Sequence, residues 1–559
     1  MTVKNLIDKS HKFNYILSNM PEGVKPHIEQ GGLSSNVERF LGSYVRALKS
    51  GREPENAAKI HVSTVVGALS YIYERFRNII DYKEEHLLRK NAILRILKRR
   101  IYPGAEADEI ARPLIYELIR GGYLKNDTVP ETKVLRVNEL LSKYFYFLEQ
   151  VSQLKPESFN EENVDWLWSV AAVEIEDTLV SKDRDRALLH FMLETITNRV
   201  EFSDLKVSEK ERDYLLFIAN LRSLWKADVD ITRYELLRKF WPQWQTPTEN
   251  DLEQRANDFA KTVEQIEYLI RKPVGEKLHR LFKKYTVHFD ILRESLLEKP
   301  ELAKTGFLPK DDFNNQIRKS CTRRYRETRS RLRRSMARSV VYIFVTKMLL
   351  ALIIELPYDI FIAQELQYVP VAINILFPPF LMFMLGVTVR VPSDKNTELI
   401  VKGLNEIIFV PPEKQEKIVM ETVTRRSKVA MVIYNIIYAI IFAGILGLII
   451  YGLYRLNFNI VSGTIFIIFL SLISFFGFRI RSSAHELIVK KKSGGFLSFI
   501  FDVTFLPVIR LGRWISLKSA KINVMVFLLD VIIEAPFKTI IDYLEGLVGF
   551  LREKKEEVY

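Results

Sequence analysis

Between residues 340 and 480 the chain carries four apolar stretches, and nine of the twenty-one residues just ahead of them, 318–338, are arginine. A backbone inside lipid must satisfy its own hydrogen bonds, so such stretches cross as helices of about 20 residues. The expected membrane domain, 339–480, is a bundle of four helices at about 340–356, 369–389, 429–453 and 460–478. A large helical front half, 1–317, and the Arg-rich juxtamembrane helix 318–338 precede it, and an amphipathic tail, 481–559, follows. The fold class is therefore expected to be all-α.

The first stretch holds eleven Val, Ile, Leu or Phe residues but also Lys347 and Glu355. At the centre of a span an ionisable side chain costs about 2.5–3.5 kcal/mol on insertion scales and marks a functional site by default. In an ideal α-helix, residues eight apart stand about 12 Å along the axis and about 80° around it. The expectation is that Lys347 and Glu355 do not pair with one another, and that Lys347 finds another partner or snorkels. The second stretch has Pro378 and Pro379 near its middle; proline lacks the N–H the helix needs there, which predicts a kink or two half-helices. The last two stretches are separated only by 454–459 and read as a tight hairpin. In the third, Ala439, Ala443 and Gly447 form a small-residue face that another helix can approach closely.

Charge sets the expected orientation. Residues 1–317 carry 49 basic and 49 acidic side chains and residues 318–559 carry 33 and 19, so the whole excess of +14 belongs to the membrane half. Lys and Arg near span ends resist translocation. The arginine run precedes the first span, eight basic residues from Arg390 to Lys428 separate the second from the third, and Arg479, Arg481 and 490–492 follow the fourth. Residues 357–368 have none and 454–459 only Arg455. This predicts a multi-pass protein of the plasma (inner) membrane with both termini cytoplasmic. Residues 1–20 lack an apolar core of signal-peptide length, in keeping with a front half that stays in the cytoplasm. Segments 496–509 and 522–541 are apolar but interrupted by Asp502, Pro507, Asp530, Glu534 and Pro536. They are expected to lie in the interface or against the bundle, with Arg510 and Arg513 pairing with Asp530 and Glu534.

In the front half, apolar residues recur at three and four, the spacing of amphipathic helices. The polar stretch 151–163 predicts a boundary between two cytoplasmic helical domains, 1–150 and 151–317. One long helix is expected over 170–197. Another runs from a cap at Asn250 or Asp251 to about Lys272, one from Pro273 to Glu298, and one from a cap at Asp311 or Asp312 through the arginines into the first span.

No phosphate-binding loop, dinucleotide fingerprint, nucleophile elbow or zincin motif occurs. The expected helix 170–197 offers Glu174, Glu176, Asp177, His190 and Glu194, but not the Glu-x-x-His pairs of a dimetal carboxylate site; a solvated face with ion pairs is expected instead. Arg89, Lys90, Arg95, Lys98, Arg99 and Arg100 read likewise as a solvated helix. The single cysteine, Cys321, excludes an intrachain disulfide. No cofactor is expected, and the charge-balanced front half argues against nucleic acid.

The expected function is a non-enzymatic membrane-anchored scaffold that recruits a cytoplasmic protein partner to the anionic leaflet. Arg323, Arg324, Arg326, Arg329, Arg331, Arg333, Arg334 and Arg338 would contact lipid headgroups. The alternative is a channel or transporter, acting as a homo-oligomer, that uses Lys347, Glu355, Pro378 and Pro379, because broken helices aimed at a midplane charge build ion sites.

Overall fold

The computed structural model describes residues 33–50, 58–62, 74, 84–102, 104–202, 207–364, 368–387, 392–420, 428–489 and 505–516. Among them the fold is all-α, with two strands of three residues each. The described residues group into two compact units: those up to Phe313 with Leu404 to Met420, and those from Asn314 to Gly403 with Lys428 to 516.

The first unit contains α1 (Ser35–Ser50), α2 (Glu85–Arg100), α3 (Ala107–Arg120), α4 (Thr132–Leu154), α5 (Glu161–Leu179), α6 (Asp183–Thr197), β1 (Val200–Phe202), α7 (Glu209–Leu224), α8 (Val229–Phe240), α9 (Glu249–Arg271), α10 (Val274–Glu298) and the single turn α11 (Glu301–Lys304). Side-chain caps set several starts: Asn160 accepts from Asn163 N, Ser208 from Glu211 N and Asp228 from Ile231 N. α9 begins two to three residues earlier than expected, because Thr248 is the cap and forms a reciprocal capping box with Asp251. Its core is aromatic: Phe147 meets Trp241, Trp244 and Phe259 edge-on, and Trp166 meets Phe259. Such pairs add to the burial of large rings.

The expected single helix over 170–197 is two helices. α5 ends at Leu179, Val180 is extended, and Ser181 bonds Asp183 at the start of α6. The polar stretch 151–163 is the end of α4, a 3-10 turn at Pro156–Ser158 and the start of α5; α4 and α5 pack on each other within the one unit. β1 pairs in parallel with β2 (Ile418–Met420), Val200 opposite Ile418, and Arg199 donates to Glu406 and to the Glu416 carbonyl beside it.

The membrane-type helices lie in the second unit. α12 (Lys310–Leu350) is one helix of 41 residues with Asp311 and Asp312 in its first turn rather than at its cap. It continues through π-helical turns at Ala351–Glu355 and Asp359–Ala363. Then come α13 (Tyr368–Val387), α14 (Asp394–Phe409, which leads back toward β2), α15 (Lys428–Arg455), α16 (Ile460–His485) and α17 (505–516). Among the described residues four helices are long and apolar enough to cross a membrane: Lys310–Ile362, Tyr368–Val387, Met431–Arg455 and Ile460–Ser482. The chain is a multi-pass membrane protein with a large helical region ahead of its spans.

Ile343, Met382 and Ile473 bring the first, second and fourth spans together. Gly386 lets Met336 approach and Gly477 lets Leu385 approach; a Cβ at either would collide. The third span is only 6 % buried against 22–33 % for the others. Its small-residue face is open: Ala439, Ala443 and Gly447 are exposed, and nothing comes within 4 Å of a Cβ built on Gly447. α17 lies against the middle of α15 and α16, with Pro507, Val508 and Leu511 facing Leu446, Leu470 and Ser471. Of the expected segment 496–509 only 505–509 is described, and it packs on the bundle; 522–541 lies outside the described residues.

Candidate intramembrane site

Lys347 and Glu355 pair directly, Nζ to Oε1 at 3.1 Å with both side chains fully buried, which corrects the expectation that they could not meet. The turn that closes on Glu355 is π-helical. Its i→i+5 bonding holds more residues per turn than the 3.6 of an α-helix, so a separation of eight falls near two full turns and both side chains reach one face. The long Lys and Glu stems close the remaining axial gap.

From this pair a chain of polar groups runs toward the loop side of the bundle. Asn374 of α13 donates to Glu355 Oε2 at 2.9 Å and to the Ser462 carbonyl at 3.1 Å. Asn459 accepts from Ser462 N at 2.7 Å, capping α16, and donates to Asp359 Oδ1 at 2.6 Å. The Lys347 ammonium also sits 4.8 Å from the centre of the Phe469 ring. Three oxygens of this chain are buried without a partner: Asn374 Oδ1, Ser462 Oγ and Asp359 Oδ2. Pro378 and Pro379 are buried inside α13, which passes through them as one helix rather than two halves. Pro378 has no N–H for the carbonyl four residues earlier, and that residue is Asn374.

Of the residues singled out from sequence, Lys347 and Glu355 are thus joined, and Pro378 and Pro379 stand about one turn beyond Asn374. The eight arginines lie along α12, most of them exposed. Arg510 stacks over Tyr438 of α15 at 4.3 Å; Asp530 and Glu534, its expected partners with Arg513, lie outside the described residues. Asp359, Asn459 and Ser462 were missed. Asp359 falls where a loop was expected, and only the Asn before the apolar run at 460 hints at a cap.

The carboxylates of the expected helix 170–197 do not converge. Glu174 accepts from Lys143, Tyr144 and Trp244 at 2.7, 2.7 and 3.1 Å, Glu176 holds Arg89 and Lys182, Asp177 holds Arg186, and Glu194 holds Arg39. Burial pushes the Tyr144 phenol well up, with Glu174 adding to it, and pushes the Lys143 ammonium down against the pull of Glu174. A polar cavity of about 710 Å³ opens beside Glu174, Asp177 and Arg186. Its lining carries both signs in equal number, so no ligand charge is selected. Arg89 and Lys90, expected on a solvated helix, are buried; Lys90 bonds Asp228 and Asp230 at 2.7 and 2.5 Å.

Fold and site together define an all-α multi-pass membrane protein with a charged, hydrogen-bonded chain inside its bundle. No protein-family model, curated protein or solved structure matches this chain.

Proposed function

We propose that the protein is a membrane-anchored helical scaffold of a plasma-type membrane, with its helical unit on the cytoplasmic side, where it gathers a soluble partner at the anionic leaflet. The observation that carries this reading is α12, an unbroken helix exposing Arg326, Arg329, Arg331, Arg333, Arg334 and Arg338 directly ahead of the first span. At 1.5 Å per residue, a helix normal to the bilayer holds Arg338 about 3 Å and Arg329 about 16 Å from residue 340. That is the depth of the headgroup layer plus about one Debye length. Arg326, exposed about 21 Å out, stands beyond that depth and faces the soluble side, where an acidic protein surface would meet it. The β1–β2 pair supports the topology: residues 200–202 and 418–420 share one side, so the chain between them crosses an even number of times.

The test is retention of anionic phospholipid by the purified full-length protein, read by native mass spectrometry. Glutamine at Arg329, Arg331, Arg333, Arg334 and Arg338 is expected to lower retention at least about tenfold, given about 1 kcal/mol per basic residue at the surface. Undiminished retention removes lipid docking from the proposal.

The buried chain from Lys347 to Asp359 favours a second reading, ion movement through an oligomeric bundle. Lys347→Leu in proteoliposomes tests it: a pathway using that charge loses or alters its flux, and unchanged flux excludes the ammonium from any pathway.

A further inference from the structure

The polar chain holds one ammonium, Lys347, against two carboxylates, Glu355 and Asp359, all at most 1 % exposed. Lys347 is spent on Glu355. Asp359 receives one hydrogen bond, from Asn459, and about half a positive charge from the nearby start of α16. The basic residue of this hairpin, Arg455, is exposed and forms no ion pair with Asp359 among the described residues. One negative charge therefore stays largely uncompensated in an apolar bundle, where a lone carboxylate is costly.

Three oxygens accompany that charge: Asp359 Oδ2, Asn374 Oδ1 and Ser462 Oγ are buried without partners. A proton on Asp359 would neutralise the charge but leave the amide and hydroxyl oxygens unfilled. A small cation would neutralise the charge and draw on these unpartnered oxygens, and oxygen ligands suit hard cations. The excess is a single charge, which selects a monovalent over a divalent ion; no group of three His, Cys, Asp or Glu occurs among the described residues.

We propose that Asp359, Asn374 and Ser462, joined through Asn459, form a binding site for one monovalent metal cation, with Lys347 as the tethered cation that completes the neutralisation of Glu355. Asp359 stands one turn from the end of its helix, so the ion reaches it from the 454–459 hairpin side. The site stands on this geometry whether the ion is carried or only holds the first, second and fourth spans together.

The experiment is thermal unfolding of the full-length protein in sodium, potassium or choline chloride at equal ionic strength, at pH 6 and pH 8. The expected result is a saturable rise in Tm of at least about 3 °C with sodium or potassium over choline. Asp359→Asn, which keeps the acceptor for Asn459, is expected to abolish the response. Ser462→Ala, the milder change, is expected to raise the half-saturating concentration about tenfold, and it carries the test if Asp359→Asn does not fold. Equal melts in all three salts overturn the proposal. So does a pH-dependent melt without salt specificity, which would mean a proton, or a sodium response that survives both substitutions.

Discussion

Lys347 and Glu355 illustrate how far a residue can be read before its surroundings are known. Their presence inside a span was plain from sequence; their pairing was not, because eight α-helical residues point them apart and only the π turn at Ala351–Glu355 realigns them. The pair predicts an asymmetry. Glu355→Leu leaves the Lys347 ammonium and the Asn374 amide buried without their carboxylate, and is expected to cost about 3–5 kcal/mol in a detergent-phase melt. The double variant Lys347→Leu/Glu355→Leu should return most of that loss, since replacing both charges with apolar groups is often neutral. A double variant as unstable as the single one would show that the pair itself is not the cause.

A second residue-scale prediction concerns His86. Burial, with Lys182 and Arg89 adding to it and Glu84 and Asp228 opposing, pulls its pKa from 6.5 to about 4. The unfolded chain takes up this proton below pH 6.5 and the folded chain does not until about pH 4. Its contribution is thus fully present above pH 6.5 and is lost as pH falls toward 4, by up to about 3 kcal/mol. His86→Gln should flatten that part of the stability profile measured by denaturant titration; an unchanged slope would assign the acid sensitivity to other groups.

Among elements, amphipathic spacing was enough to expect helices, and several ends followed local chemistry such as the Thr248–Asp251 capping box. The break between α5 and α6 was hidden, because the 170–197 pattern continues across Val180 and Ser181 without a glycine or proline. Glycine gives the sharpest element-scale prediction. A Cβ on Gly512 of α17 would run into the Ser471 backbone of α16, whereas Gly447 on α15 faces open space. Gly512→Ala is expected to cost about 1–3 kcal/mol or to push α17 off the bundle. Gly447→Ala should leave the melt unchanged or slightly raised, as alanine favours a helix. Equal melts for both variants would contradict the packing of α17.

At the scale of the whole molecule, the chain after the second span returns to the helical unit. Arg199, buried, donates to Glu406 and the Glu416 carbonyl and lies 5.6 Å over the Tyr285 ring. Arg199→Ala should destabilise this unit by about 1–3 kcal/mol and speed proteolysis within 404–420; unaltered cleavage there would mean that the segment is held by other contacts. No pattern in the sequence announces this return, because a three-residue parallel pair separated by more than two hundred residues leaves no periodic trace.

Composition and order along the chain by themselves determined the class: apolar length demands spanning helices, clustered arginines mark their flanks, and spacing at three and four makes the rest helical. These are short-range properties, legible because lipid and helix geometry act on consecutive residues. Tertiary structure alone decided that Lys347 meets Glu355, that Asn374, Asn459, Ser462 and Asp359 join them, and that α17 enters the bundle. The first depends on a local departure from ideal helix geometry that residue spacing does not encode, and the others on residues distant in sequence approaching within a few ångströms.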